Sequence, residues 1–203
     1  MMRESRINTI IEGTSEIMRL FLAREALDPH LQQSADMMRR GVPLSKRMRS
    51  GLRLIGFYAS WYARQWIHAG WLRRHGEAGP LAAQMRYVER NTHRLARTLF
   101  HSMARHRARL EYRQNLLARL MEIGTDLFAM TATCAYALQL AGRKGNDNTP
   151  IALAEAFCAQ ARERIDDHFY HVGHNIDRRN NRLAGRVLSG EMKWLEDGIV
   201  WIG

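Results

Sequence analysis

Glu12 is a carboxylate placed directly before a flexible turn, Glu12-Gly13-Thr14, and Thr14 or Ser15 can cap the helix that follows. A helix entrance presents unpaired backbone N–H groups and the positive end of the helix dipole, which together stabilise a phosphate or another anion. A carboxylate beside such an entrance is a candidate general base. The same residues also describe an ordinary capped helix carrying a surface glutamate, and residue types alone favour that plainer reading.

The wider segment is more specific. From Arg3 to Leu20 the chain follows R-x-x-R-I-x-x-I-x-E-G-T-x-E-I-x-R-L over 18 consecutive positions, with Glu12 at the E before G-T. This pattern closely resembles the C-terminal motif of the acyl-CoA dehydrogenase family. Arg113-Gln114-Asn115-Leu116-Leu117 and Glu122-Ile123-Gly124-Thr125-Asp126-Leu127-Phe128-Ala129-Met130 are more loosely similar to the additional C-terminal helical domain of the very-long-chain type. Residues 42–105 match that domain by position only.

The resemblance implies that Glu12 is the catalytic base. It would take the α-proton of a fatty acyl-CoA thioester while the β-hydrogen leaves as hydride to FAD, giving the trans-2-enoyl-CoA. That α-proton is weakly acidic, so the carboxylate has to be dehydrated and its pKa raised. The enolate oxygen needs hydrogen-bond donors; by resemblance these are the backbone N–H of Glu12 and an FAD ribityl hydroxyl. Gly13 would lie against the thioester, and Thr14, Ser15 and Glu16 would line the FAD. An electron-transfer flavoprotein and a homodimeric full-length enzyme are implied in the same way.

Most of the family's pocket comes from domains that these 203 residues do not contain. The expectation is therefore a fragment or split part of an FAD-containing acyl-CoA dehydrogenase of fatty acid β-oxidation, inactive and without FAD when isolated. Residues 1–41 would end the catalytic helical bundle, and 42–203 would form the accessory domain. The other functional class is a stand-alone helical module that binds a membrane or a partner without catalysis.

Other groups with chemical potential point to plainer roles. Cys134 and Cys158 lie in apolar helical patterns without CxxC spacing, as reduced core thiols of a cytoplasmic protein do. Among the nine histidines, His101 and His106 are five apart and His171 and His174 three apart, but no carboxylate completes a metal-ligand set. The methionines, Met37 and Met38 among them, read as core filler.

The elements that must position these groups are helices. Leu81, Met85, Val88, Thr92, Leu95 and Leu99 recur at spacings of four and three after Gly79-Pro80 and predict an amphipathic helix. Leu116, Leu120, Ile123, Leu127, Met130, Cys134 and Ala137 predict a second from about Glu111 to Leu140, stopping at Gly142. Asn148 or Thr149 before Pro150 can cap a third, with Leu153, Phe157, Ala161, Ile165 and Val172 on one face. A shorter helix around Asn181 to Leu188 and an apolar tail, Trp194 to Trp201, follow. No stretch alternates as a strand does. The fold expected is all-α: the end of an acyl-CoA dehydrogenase-like bundle, then long helices packed antiparallel through short loops.

The formal charge of +11 is uneven. Between Arg39 and Arg119 there are 18 basic residues against three acidic ones, a net of +15, and the remainder carries −4. Within that stretch, Val42 to Leu72 joins cations to Phe57, Tyr58, Trp61, Tyr62, Trp66 and Trp71. Such a segment either lies on an anionic membrane surface, the inner face for a cytoplasmic protein, or packs its aromatics into a core and leaves its arginines solvated. The resemblance supports membrane attachment here. The segment is too polar to cross a bilayer. Arg86, Arg90, Arg94, Arg97, Arg105, Arg107 and Arg109 would lie along one helix and could track phosphates. No nucleic-acid-binding motif accompanies them, so no specific nucleic-acid partner is expected.

Overall fold

The computed structural model of the chain describes residues 44–66, 76–143 and 147–195, together with Phe21 and Glu25. The boundary expected between residues 41 and 42 lies outside the described residues. Five helices account for most of what is described: α1 (Leu44–Trp66), α2 (Ala82–His106), α3 (Gln114–Arg143), α4 (Thr149–Gly173) and α5 (Asp177–Leu188). Short 3-10 turns lead into α2 (Gly76–Leu81), join α2 to α3 (Arg107–Tyr112) and follow α5 (Lys193–Leu195). Among the described residues there is no strand.

The pairing of α3 with α4 dominates the packing. Asp126 meets Arg164 and Cys134 meets Cys158, so residue numbers rise along one helix as they fall along the other, and the pair is antiparallel. On α2, Ala83 and Tyr87 meet Arg162 while Arg94 reaches Asp166 and Phe169. Thus α2 runs parallel to α4 and antiparallel to α3. In turn α1 lies antiparallel on α2, with Trp61 against Phe100 and Gln65 against His93 and Arg97. The antiparallel expectation for the long helices holds.

The periodic apolar residues explain the core. All seven stripe positions on α3, from Leu116 to Ala137, are buried, and Leu120, Ile123, Met130 and Cys134 have no exposed surface. Complete burial of a leucine or isoleucine side chain contributes about 1.5–3 kcal/mol. Leu81, at the end of the turn before α2, and Val88 on α2 are buried, with Met85, Leu95 and Leu99 packed beside them. Thr92 instead faces solvent and donates back to the Val88 carbonyl, 2.9 Å; the buried polar residues of this helix are Asn91, which donates to the Tyr87 carbonyl, and Ser102, which donates to the Thr98 carbonyl.

Three local expectations need correction. The second helix starts at Gln114 rather than Glu111, because the preceding residues tighten into the 3-10 turn, and it runs one residue past Gly142. The core face of α4 is Ile151, Ala154, Cys158, Ala161, Ile165 and Phe169, whereas Leu153 is exposed. Small side chains at 154, 158 and 161 turn toward α3 and rotate the larger Leu153 outward. Neither Asn148 nor Thr149 supplies a side-chain cap to α4; the Asp147 carboxylate accepts the Thr149 N–H at 2.9 Å, and Pro150 occupies the first turn.

Candidate functional site

Glu12, Gly13, Thr14, Ser15 and Glu16 lie outside the described residues. The described polar and aromatic chemistry centres on the seam between α1 and α2. The three-to-four-residue rhythm of α1 turns Tyr58, Trp61 and Tyr62 onto α2, where Phe100 meets all three rings at centroid distances of 5.2–5.6 Å. His101 Nε2 is 3.0 Å from the Tyr62 hydroxyl, His93 Nδ1 donates to Gln65 Oε1 at 2.7 Å, and Arg97 donates to the Gln65 carbonyl at 2.6 Å. The Arg97 guanidinium also covers the Trp66 ring, 4.4 Å from its centroid. Beside this seam lies an open apolar groove of about 410 Å3, lined by Ile55, Tyr58, Ala59, Tyr62, Phe100 and His101.

The basic aromatic segment is therefore divided. Tyr58, Trp61 and Tyr62 are half-buried against α2, and burial pushes the Tyr58 phenol up. Ile55, Phe57 and Trp66 keep large exposed apolar surfaces. Trp71 lies outside the described residues. What the periodicity did not single out is the matching line on α2, His93, Arg97, Phe100 and His101. Its spacing of four and three was legible, but its mixed polarity hid it among the arginines.

Those arginines do not form one row. Arg107 and Arg109 lie beyond the end of α2, in the 3-10 turn. Arg94 is 3.6 Å from Asp166 and sits over the Phe169 ring at 3.9 Å, so together with Arg97 it joins helices rather than facing outward alone. Across the α2–α4 contact, Arg162 covers Tyr87, whose phenol is pushed up to about 12, by burial first and then by the charge of Asp166.

The remaining candidates are structural in their contacts. Cys134 and Cys158 are free and buried with their sulfurs 3.6 Å apart, and burial pushes the Cys134 thiol up to about 12. His171 caps back onto the Asp167 carbonyl, and His174 stacks on Tyr170, 4.6 Å between centroids. His106 is held below its ordinary value by burial first, then by the charges of Arg113 and Arg105. Among the described residues no group of three His, Cys, Asp or Glu side chains could hold a metal ion, and no helix is long and apolar enough to cross a membrane.

Two ion pairs link the helices, one midway along the α3–α4 pair and one at the start of α5. Arg164 binds the largely buried Asp126 through Nε and Nη2, the latter at 2.6 Å. Arg119 donates to both oxygens of Asp177 at 2.6 and 2.7 Å and ties α5 to α3.

Residues 80–188 match the family described as ACAD9/ACADV, C-terminal domain. Over 202 residues the chain is 41% identical to the "Probable acyl-CoA dehydrogenase FadE10" of Mycobacterium bovis and to that of Mycobacterium tuberculosis strains CDC 1551 and H37Rv. Each alignment takes in 98% of this chain and 31% of the relative, so the chain spans about a third of the length of the curated relatives it matches. No solved structure gives a significant match.

Proposed function

The chain belongs to the ACAD9/ACADV C-terminal domain family, and from that premise we propose that it is the C-terminal part of an FAD-dependent acyl-CoA dehydrogenase acting on fatty acyl-CoA in β-oxidation. The observation that carries this reading is the extent of the likeness to the mycobacterial relatives: the aligned stretch takes in 98% of the chain and so reaches well beyond residues 80–188. Residues 1–41 close the catalytic bundle in this reading, and residues 42–203 are the accessory helical domain.

Glu12 is the base. Its carboxylate accepts the α-proton of the acyl thioester, and its own backbone N–H meets the developing enolate oxygen. Gly13, without a side chain, lets the thioester approach the backbone. Thr14, Ser15 and Glu16 offer two hydroxyls and a carboxylate, hydrogen-bonding groups suited to the edge of a flavin. When bound there, FAD would supply the hydride acceptor for the β-hydrogen. Electrons then leave through an electron-transfer flavoprotein, and the full-length enzyme is a homodimer.

The test is made in the full-length enzyme that carries this chain. Glu12→Gln is expected to lower kcat for enoyl-CoA formation about 10²–10⁴-fold while bound flavin absorbance stays unchanged. A variant with an undiminished rate removes Glu12 from the mechanism.

A peripheral membrane contact through α1 belongs to the same proposal. Its support is the exposure of Ile55, Phe57 and Trp66 beside the apolar groove, on a helix rich in cations.

A further inference from the structure

The chain has two cysteines in its 203 residues, and the fold brings them into contact. Cys134 on α3 and Cys158 on α4 face each other across the antiparallel pair with their sulfurs 3.6 Å apart, and neither residue is exposed at all. Buried Ala137, Ala154 and Ala161 lie within about a turn of them, and their small side chains keep the gap between the helices narrow. Rotation about two χ1 angles can share the roughly 1.5 Å that separates such a contact from a sulfur–sulfur bond.

A guanidinium adjoins the two thiols. Arg162, four residues after Cys158, donates through Nη2 to the Ala83 carbonyl and covers the Tyr87 ring, but its buried Nε has no hydrogen-bond partner among the described residues. Burial pushes the Cys134 thiol up to about 12 and the Cys158 thiol up as well, while the charge of Arg162 works against that rise at both. The contact between the sulfurs raises Cys134 and lowers Cys158, so Cys158 is the first to become a thiolate. Apolar packing would be served by any two small side chains here. Two thiols in contact beside a cation can also react with each other.

We propose that Cys134 and Cys158 form a redox modification site, a buried dithiol that hydrogen peroxide converts into a disulfide joining α3 to α4. This is independent of the dehydrogenation proposed for Glu12. In the first step the Cys158 thiolate attacks one peroxide oxygen: an S–O bond forms, the O–O bond breaks, and the departing hydroxide takes up the proton that Cys158 released. The sulfur of Cys134 then attacks the Cys158 sulfenic acid. An S–S bond forms, the S–O bond breaks, and the second hydroxide leaves as water with the Cys134 proton. Two electrons pass from two thiols to one peroxide, which becomes two waters.

Burial sets the pace of this chemistry. The oxidant reaches the sulfurs only when the α3–α4 pair opens locally, so closure takes minutes to hours, unlike the reaction of an exposed sensor thiol. The bond then ties residues 24 positions apart across the turn between the two helices and restricts the opened chain.

The full chain, treated with hydrogen peroxide under native conditions and then denatured and alkylated, tests the proposal. Mass spectrometry is expected to show the loss of two hydrogen atoms, no alkylation, and one cross-linked peptide pair containing Cys134 and Cys158. The thermal midpoint of the oxidised chain should rise by about 5–10 °C and return on reduction with dithiothreitol. Cys134→Ala stops the sequence after its first step, so the sulfenic acid on Cys158 should accumulate and be trapped by dimedone. If that variant loses helix content in circular dichroism, the wild-type peptide map carries the test. Three results would overturn the inference: two thiols still open to alkylation after oxidation, a sulfinic acid in place of the disulfide, or a bond that forms only between chains or only in urea.

Discussion

Asp177 is the residue on which the attachment of α5 depends. Its carboxyl is held below the usual carboxylate range, first by hydrogen bonds from Arg119 and also by the charge of that guanidinium, which together outweigh the opposing effect of burial. A depressed carboxylate pKa means that the unfolded chain binds the proton more readily. The stabilisation is therefore complete above the ordinary value of 3.8 and is lost as pH falls through the folded value. Asp177→Asn is expected to cost about 1–3 kcal/mol at neutral pH. Urea midpoints of variant and wild type should converge in strong acid, and a difference independent of pH would mean that the charge is not the cause. No spacing in the sequence announces this pair, because Arg119 and Asp177 lie 58 residues apart.

At the scale of the element, α2 is bounded by two unusual backbone conformations. Gly79 has φ 47° and ψ −121°, and Arg107 has φ 49° and ψ −133°. The first is a glycine, which adopts positive φ without a Cβ clash; the second is an arginine, which does so under strain. Gly79→Ala is expected to lower stability by about 1–3 kcal/mol and Arg107→Gly to raise it by about 1 kcal/mol, read as opposite shifts in thermal midpoint. The sequence marked the first turn through Gly79-Pro80 but gave no sign of the second. The apolar period located α3 residue by residue, because a helix buried along one face imposes that period. It misplaced the core face of α4, where alanine and cysteine allow close approach and so outrank the larger Leu153.

For the whole molecule, the packing forms a gradient from the α3–α4 pair outward. α2 joins that pair, α1 touches α2, and α5 hangs chiefly on one ion pair. Amide hydrogen exchange should follow that order, slowest in α3 and α4 and faster in α1 and α5 by about tenfold or more. Uniform protection across all five helices would contradict it. The family was legible from eighteen residues near Glu12 and the all-α fold from periodicity. The surroundings of Glu12 were not, since the pKa of a carboxylate is set by groups that folding brings in from remote parts of a sequence.

The arginines of the α2 seam carry one more consequence. Guanidiniums of Arg94, Arg97 and Arg162 lie 3.9–4.5 Å from the centres of Phe169, Trp66 and Tyr87 and bond α1, α2 and α4 to one another. A lysine would keep the charge but lose the flat stacked contact. The cations thus divide into two chemical populations. A dicarbonyl reagent such as phenylglyoxal, which must reach the guanidinium nitrogens, should label Arg178, Arg179 and Arg182 quickly and the three stacked groups slowly, making reagent uptake a direct measure of how much of the positive charge serves as mortar.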